Sequence, residues 1–323
     1  MDRPGAVAQL QRAAEEFARI KLDCTDRWSV GLSGGPDSLA LTAVAARLRP
    51  TTALVVDHGL QPDSAAVAET ARQQAISLGC VHVKVLRVQV DPPYGVKGGP
   101  EAAARTARYS ALDVHREGPV LLAHTLDDQA ETVLLGLGRG SGARSIAGMR
   151  PYDPPWCRPL LAVRRAVTIA ACEELGLAVW RDPHNDDRRF TRVRLRTEVL
   201  PLLEDVLGGG VAEALARTAT ALREDSDFID GAAAEVLPEV SVADGLDVGT
   251  LSTLPGVLRR RVIRGWLLAG GATGLTSKHI RGVDRLLTGW HGQGGVAVGS
   301  ELRGQRVFAE RRAGVLKMRR EAT

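Results

Sequence analysis

The first half of the chain alternates short apolar runs with segments of helical periodicity. The apolar runs are residues 28–33, 51–58, 81–90 and 119–125, and the helical segments that follow them are 37–49, 63–79, 100–118 and 126–138. Strands that alternate with helices form right-handed crossovers, which build a parallel sheet covered by helices on both faces. The pattern therefore predicts an α/β fold with a doubly wound, Rossmann-like parallel sheet.

The pattern changes at a glycine run, residues 208–210. Beyond it the sequence has helical segments, and strand-like runs return only from about residue 295, at GGVAVGS, QRVFAE and GVLKMR. We therefore predict two domains, a catalytic α/β domain at residues 1–208 and a smaller, mainly helical domain at 209–323. The length of 323 residues agrees with this division, because one compact core rarely holds so many.

The composition is that of a soluble globular protein. Hydrophobic residues make up 44% and charged residues 25% of the chain, and the mean hydropathy is -0.06. No stretch approaches the roughly 20 apolar residues of a membrane helix. The first residues also lack the continuous apolar core of a secretory signal. We therefore expect no membrane association and a cytoplasmic location.

Charge and cysteine content narrow the function classes. The 42 basic and 38 acidic residues give a net charge of +4, which is compatible with an anionic partner. An aromatic content of 4% argues against binding of single strands mainly by base stacking. The cysteines at 24, 80, 157 and 172 are too far apart to form a CxxC metal or redox pair. We expect them to be buried as small hydrophobic residues.

Polar residues and glycines collect where the predicted strands end. Open parallel sheets bind ligands beyond the carboxyl ends of their strands, so these positions are candidates for a site. They are Ser33, Gly34, Gly35, Asp37, Asp57, His58, His124, Asp127 and Asp128.

The segment SGGPDS at residues 33–38 follows the first strand and opens a helix. Glycines allow backbone amides to surround an oxyanion, and the helix N-terminus adds partial positive charge. A glycine-rich turn with ordinary first-turn helix residues is the structural alternative. No lysine follows the glycines, so this is not a GxxxxGK[ST] nucleotide loop.

SGGPDS resembles the PP-loop, SGGxDS, of the ATP pyrophosphatases, which cleave ATP between the α and β phosphates. The resemblance implies adenylation chemistry with ATP and Mg²⁺, and it implies that Asp37 holds the metal. The implied ATP-binding residues are Ser33, Gly34, Gly35, Pro36, Asp37, Ser38, Asp57, His58 and His124. A polar turn at a strand end is the alternative explanation for Asp57 and His58, and a structural hydrogen bond for His124.

Asp128 and Glu131 are three residues apart in a predicted helix, so both carboxylates lie on one face. Such a pair can bind a cation, or it can simply complement the helix dipole. Four segments together resemble the tRNA(Ile)-lysidine synthetases in order and spacing. They are SGGPDS, EAAARTARY at 101–109, AHTLDDQAETVLLGLGRGSG at 123–142 and RDPHNDDRRFTRVRLRTEVLP at 181–201.

Enzymes of this family use ATP to activate carbon 2 of the wobble cytidine in the CAU anticodon of tRNA(Ile). The ε-amine of free L-lysine then displaces AMP and forms lysidine. The resemblance implies that Asp128 and Glu131 bind the lysine ammonium and that one of them takes its proton. The implied partners are this tRNA and lysine, with a homodimer left open.

Arginines supply the remaining candidates. Arg105 and Arg108 match the family's ARxxRY, which implies contact with the cytosine oxygen, the α-phosphate or tRNA phosphates. Arg108 could instead pair with Glu101 or Asp113 on a solvated helix. The predicted tRNA-binding residues are Arg188, Arg189, Arg192, Arg194 and Arg196.

Two features set limits on the arginine assignments. Val193 stands where the family has an asparagine, which leaves the role of the run at 188–196 open. Further basic clusters at 259–264 and 311–320 are tRNA-binding candidates or solvated helix faces.

Two other functions compete with the ligase. A tRNA thiolase would use the same loop, but it normally needs cysteines for sulfur transfer or an iron-sulfur cluster, and the chain has no CxxC pair. A nucleotide-dependent RNA-binding module without catalysis is the third hypothesis. The presence of SGGPDS together with the acid pair favours the ligase.

Overall fold

A computed structural model describes residues 4–22, 25–59, 63–89, 99–140, 142–180, 182, 187–300 and 305–322, with residues 99–102 described by backbone only. The chain forms two compact units. The first comprises Met1–Leu134 and Gly148–Arg217, and the second comprises Leu135–Ala147 and Thr218–Thr323.

The described helices and strands alternate in the first half of the chain as expected. In chain order they are α1 (Ala6–Lys21), β1 (Trp28–Leu32), α2 (Pro36–Leu48), β2 (Thr51–Asp57), α3 (Ser64–Ser77), β3 (His82–Arg87), α4 (Gly99–His115), β4 (Val120–Leu121), α5 (Leu126–Gly138), α6 (Ala143–Ile146), β5 (Tyr152–Asp153), β6 (Trp156–Cys157), α7 (Arg165–Glu174), α8 (Thr191–Arg194), a π-helical turn (Leu195–Val199), α9 (Leu200–Val206), α10 (Val211–Val240), β7 (Ser241–Val242), β8 (Gly245–Asp247), α11 (Val248–Thr253), α12 (Gly256–Ala269), β9 (Ala272–Thr273), α13 (Ser277–Thr288), β10 (Val296–Ser300), β11 (Gln305–Arg312) and β12 (Val315–Ala322).

The sheet of the first unit has the order β3-β2-β1-β4-β6-β5. All pairs are parallel except β5 with β6, so the predicted doubly wound parallel sheet is confirmed. Val30 of β1 lies opposite Ala53 on one side and Leu121 on the other. The strand order therefore reverses between β1 and β4, and this switch point is where such sheets form ligand crevices.

Helix α2 is packed firmly against the first unit's core. Leu39 and Leu41 are fully buried, and α2 contacts both α1 and α7. Burial of a leucine side chain contributes about 1.5–3 kcal/mol. The apolar face of α2 thus fixes its N-terminus, where the SGGPDS loop ends.

The second unit combines helices α11 to α13 with an antiparallel sheet of order β7-β8-β12-β11-β10-β9. Its core includes Leu246, Ile263 and Leu286. Strands β10 to β12 match the strand-like runs of the sequence. The expectation that no strand precedes about residue 295 was wrong, because β7, β8 and β9 have only two or three residues each, too few to show an alternating pattern.

The predicted domain boundary at residue 208 differs from the division between the two units. Residues 208–210 have positive φ angles and form the turn between α9 and α10 within the first unit. Glycine accepts this conformation without strain, so the run marks a turn there. The segment 135–147, predicted to belong to the first domain, groups with the second unit.

Two of the cysteines are buried as expected, and a third is only half-buried. Cys157 and Cys172 are buried in the first unit's core, and Cys80 is half-buried at its edge. Burial raises the pKa of the Cys157 thiol to about 12 and that of Cys172 to about 11, so both stay protonated at neutral pH. Cys24 lies outside the described residues.

Among the described residues, none of the helices is long and apolar enough to cross a bilayer.

Candidate active site

Ser33 and Ser38 form hydrogen bonds within the loop between β1 and α2. The Ser38 hydroxyl donates to the carbonyl of Gly35 at 3.0 Å and accepts from the amide of Ser33 at 3.2 Å. Gly34 has a φ of +80°, which a residue with a side chain rarely adopts. Gly35 is the N-cap of α2 and Pro36 its first residue. The loop therefore leads directly into the N-terminus of α2, where backbone amides and the helix dipole stabilise an anion.

Two adjoining cavities in the first unit meet at this loop, with volumes of about 310 and 380 Å³. They share Ser33, Val56 and Arg108. The first has a largely apolar wall that includes Val55, Val67, Ala68, Ala71 and Trp180. The second is lined by the charged and polar residues Asp37, Ser38, His124, Asp128, Arg165 and Arg196. An apolar end beside a polar end suits a nucleoside with attached phosphates.

Asp57 and His58 line the first cavity but differ in what they contact. Asp57 accepts from the Gly59 amide at 3.0 Å, so it stabilises the turn after β2. The Nε2 atom of His58 accepts from Arg108 at 3.3 Å. Burial, reinforced by Arg108, lowers the pKa of His58. Its buried Nδ1 has no partner among the described residues, which leaves it available to a ligand.

Arg105 and Arg108 both line the first cavity from α4, but they make different contacts. Arg105 lies over the Tyr109 ring at 4.9 Å and donates to its hydroxyl at 3.0 Å. Burial, with Arg105 adding to it, lowers the pKa of Arg108, which lines both cavities. Asp113, the alternative partner of Arg108, pairs with Arg116 at 2.8 Å. The side chain of Glu101 lies outside the described residues.

His124 follows β4 and lines the second cavity. Burial lowers its pKa to about 4, and Asp128 opposes this only in part. Its buried Nδ1 also lacks a partner within the described parts of the chain. The imidazole is therefore neutral at ordinary pH.

The pKa of His124 predicts an acid-sensitive folded state. An unfolded histidine titrates near 6.5, so the unfolded chain binds more protons than the folded chain between pH 6.5 and about 4. The stability contribution of His124 is complete above pH 6.5 and is lost as the pH falls through this window, by about 3 kcal/mol in total. Thermal unfolding of wild type and His124→Gln at several pH values across this range measures how steeply the stability of each protein changes with pH. A slope identical in both proteins would contradict the assignment.

Asp128 is held at the start of α5 by local hydrogen bonds. Its Oδ2 accepts from the amide and the hydroxyl of Thr125, both at 2.8 Å. Burial opposes its ionisation, but Arg165 and the Thr125 amide outweigh burial, so its pKa lies below the usual value. Both explanations considered for this acid therefore have a physical basis, since it caps the helix turn and also faces the cavity.

Glu131 lies one turn further along α5 and is fully buried, with 0% of its side chain exposed. Its Oε1 accepts from Arg196 Nε at 2.8 Å and lies 3.5 Å from Arg165 Nη1. Its Oε2 lies 3.7 Å from Arg192 Nη1. The acid pair is thus surrounded by three guanidinium groups, an arrangement that no motif in the sequence predicts.

Asp37 stands at the N-terminus of α2, across the second cavity. It accepts from the Thr168 hydroxyl and from Arg165 Nε, the latter at 3.2 Å. Burial raises its pKa; Arg165 and Thr168 offset this only in part, and Asp128 adds to the rise. A divalent cation would favour the ionised form.

No group of three or more His, Cys, Asp or Glu side chains within the described residues is arranged to hold a metal. Magnesium usually takes one or two carboxylates and completes its shell with phosphate and water oxygens. Asp37, beside a phosphate-sized cavity, fits that kind of site.

The arginine run at 188–196 divides into two groups. Arg188 and Arg194 share Glu198 at 2.7 and 3.2 Å, and Arg189 pairs with Asp187 at 2.7 Å. These three side chains are exposed and face solvent. Arg192 and Arg196 instead lie against Glu131. The two groups therefore face different surroundings, one solvent and the other the acid pair.

Residues 7–203, more than half of the chain, match the family model described as a PP-loop domain, and residues 246–313 match the TilS substrate binding domain. The chain is 77% identical to the tRNA(Ile)-lysidine synthase of Mycobacterium tuberculosis H37Rv, covering 99% of both chains. It is 72% identical to that of Mycobacterium leprae, covering 98% of both.

The chain belongs to the tRNA(Ile)-lysidine synthase family.

A comparison with solved structures agrees with this fold. The U34-tRNA thiolase of Methanococcus maripaludis, solved with its [4Fe-4S] cluster, superposes with a TM-score of 0.55 and 18% identity, covering 68% of this chain and 80% of the thiolase. This likeness shows a shared fold only. The full-length relatives are named as lysidine synthases, so the thiolase hypothesis has no support from them.

Among the predicted site residues of this family member, Asp37, Ser38, His124 and Asp128 line one cavity, as the strand-end positions led us to expect. Arg165 and Thr168 were missed. Both lie on α7, which no motif marked, and both contact Asp37 from more than 120 residues away in sequence. The only signal was an Arg-Arg pair at 164–165 where a helix begins, and this is not specific.

Proposed function

We propose that this chain ligates free L-lysine to carbon 2 of the wobble cytidine in the CAU anticodon of tRNA(Ile), with ATP as the activating substrate. The observation that carries the proposal is the placing of the loop carboxylate Asp37 and the acid Asp128 on one cavity. A phosphate whose magnesium ion is held by Asp37 and an amine bound to Asp128 would lie close together. A homodimer and a cytoplasmic location stay predictions.

In the first step the cytidine O2 attacks the α-phosphorus, forming an O–P bond while the bond to pyrophosphate breaks. The amides at the start of α2 bind the pyrophosphate portion. A magnesium ion held by Asp37 would offset the negative charge of the phosphate oxygens. Arg108 lines both cavities, so its guanidinium is available to the charge that develops on the α-phosphate.

In the second step the lysine amine attacks carbon 2, and AMP leaves with the oxygen. The ε-ammonium has a reference pKa near 10.4 and must lose a proton before it attacks. Carboxylates favour the charged form, so Asp128 and Glu131 first bind the ammonium, and one of them then takes the proton. His124 is neutral and lines the same cavity, where it can bind the nucleotide or the base.

Labelled lysine tests this function directly. The purified chain is incubated with unmodified CAU-anticodon tRNA(Ile), Mg²⁺ and labelled lysine, with and without ATP. We expect label in the tRNA only when ATP is present. If no label enters the tRNA but sulfur is transferred to it, the result would favour a thiolase. If neither lysidine nor thiolated tRNA forms, the result would favour the non-catalytic module.

The second unit contains a strongly basic cavity of about 720 Å³, to which we assign contact with tRNA phosphates. Asp230 pairs with Arg144 and with Arg261, the latter at 3.1 Å. Burial lowers the pKa of Arg264, and the neighbouring Arg144 and Arg261 add to this. Cations held together against their mutual repulsion favour a bound polyanion. Seven basic side chains line the cavity: Arg139, Arg144, Arg260, Arg261, Arg264, Lys278 and Arg281.

We expect Arg281→Gln and Lys278→Gln each to weaken tRNA binding about three- to tenfold and to reduce the slope of log K against log salt by about 1. Arg189→Gln, in the exposed part of the arginine run, should act in the same way. Fluorescence anisotropy with labelled tRNA at several salt concentrations measures both quantities. Arg47→Gln, an exposed arginine on α2 outside these groups, is the control. If the slope of log K against log salt stays unchanged in these variants, the substituted residues do not contact tRNA phosphates.

A further inference from the structure

Arg165 occupies the centre of the acidic side of the second cavity. Only 16% of its side chain is exposed. Its Nε lies 3.2 Å from Asp37 Oδ2, its Nη2 lies 2.5 Å from Asp128 Oδ1, and its Nη1 lies 3.5 Å from Glu131 Oε1. Each nitrogen of one planar guanidinium thus faces a different carboxylate.

The backbone around Arg165 is fixed as well. Its amide donates to Asp127 Oδ2 at 2.7 Å, which joins the start of α7 to the first turn of α5. One turn later Thr168 donates its hydroxyl to Asp37, and Cys172 Sγ contacts the Pro36 carbonyl at 3.3 Å. Helix α7 therefore contacts the acid-pair helix at its first residue and the loop helix α2 along its length.

Charge balance explains why one arginine stands here. Asp37 and Asp128 line the second cavity, and Glu131 is fully buried. Three carboxylates that contact one guanidinium repel each other, and burial alone would protonate some of them. A guanidinium stays charged at all relevant pH values and has donors in a rigid plane, so it can serve several carboxylates in fixed directions. An ammonium group is a compact point charge and cannot span the same set.

We propose that Arg165 is a positioning residue that couples the phosphate-binding loop to the lysine-binding acid pair by holding Asp37, Asp128 and Glu131 in one fixed arrangement. The inference rests on the proposed function of these acids. It implies that Arg165 aligns the carboxylates used in both half-reactions. Loss of Arg165 should therefore disturb both the use of Mg²⁺ and the use of lysine, although these ligands bind to different carboxylates.

The matched control is the preceding residue. Arg164 also pairs with acids, lying 3.3 Å from Asp127 and 3.1 Å from Glu213, but it is 40% exposed and contacts neither Asp37 nor the acid pair among the described residues. A comparison of Arg165→Met with Arg164→Met thus separates the bridging position from the loss of one arginine at the start of α7.

The test measures the half-saturating Mg²⁺ for adenylation of tRNA, the KM for lysine in the transfer step, and lysine binding by calorimetry without tRNA. For Arg165→Met we expect the half-saturating Mg²⁺ concentration and the KM for lysine to rise together, each about tenfold or more. The affinity for lysine without tRNA should fall by a similar factor. Arg165→Lys keeps a positive charge, so its KM for lysine should lie between those of Arg165→Met and wild type. Its half-saturating Mg²⁺ concentration should stay as high as that of Arg165→Met. Arg164→Met should stay within about twofold of wild type in all three.

Thermal unfolding of each variant separates positioning from a structural role. A lower Tm with an unchanged KM and Mg²⁺ requirement would overturn the proposal, and so would tighter lysine binding, which would make Arg165 a competitor of the substrate amine. If Arg165→Met does not fold, Arg165→Lys carries the same comparison, and a Lys variant equal to wild type in every value would refute the bridge. A wild-type chain that forms no lysidine would refute the proposed function instead.

Discussion

Asp37→Asn is expected to lower the rate of tRNA adenylation by at least about 10³-fold. Asp37 is the one carboxylate on the loop that opens α2, and it faces the cavity assigned to the phosphates. An amide has a similar shape but no charge, so it cannot hold a divalent cation against competing water. Release of pyrophosphate from ATP in the presence of tRNA measures the effect.

The same change should not destabilise the fold. Because burial raises the pKa of Asp37, the folded state disfavours the ionised side chain relative to the unfolded chain. Removal of that charge therefore leaves the Tm unchanged or raises it, while activity falls. Asp113→Asn, on the exposed face of α4, is the control and should keep full activity. ATP turnover that survives in Asp37→Asn would refute the magnesium role.

The fold of the first unit could be predicted because its signal is local. Strands β1, β2 and β4 are short apolar runs, β3 alternates apolar and polar residues, and each of the four is followed by a helix. Once the sheet is parallel, its topology brings the strand ends together, so Ser33, Asp37 and His124 were expected near one another and do line one cavity.

The partners of the acid pair could not be predicted in the same way. Arg196 was assigned to tRNA from a run of arginines, but in the structure it donates to Glu131 at 2.8 Å. Arg165 reaches Asp37 across 128 positions of sequence. Neither contact follows from periodicity, since it depends on how α7 and the π-helical turn pack against α5. The strands of two or three residues in the second unit, β7 to β9, were missed for a related reason, because their pairing comes from tertiary contacts.

Glu131→Gln and Asp128→Asn are expected to raise the lysine requirement about 100-fold or more and to leave adenylation within a few-fold of wild type. The larger effect belongs to Glu131. It is fully buried, and Arg165, Arg192 and Arg196 all lie within 3.7 Å of its carboxylate. Loss of its charge removes one ligand of the ammonium and leaves those guanidinium groups with a positive excess that repels it.

The experiment accumulates adenylated tRNA with ATP labelled at the α-phosphate and then adds lysine at increasing concentrations. Both variants should form the adenylate and release AMP only at high lysine. Asp113→Asn is the control, because Asp113 is an exposed acid of α4 that pairs with Arg116 at 2.8 Å and is not part of this cluster. Failure of both acid-pair variants to form the adenylate would move Asp128 and Glu131 into the first step. The cluster around Arg165 would then serve the phosphates alone, and the lysine site would have to be sought on another part of the cavity wall.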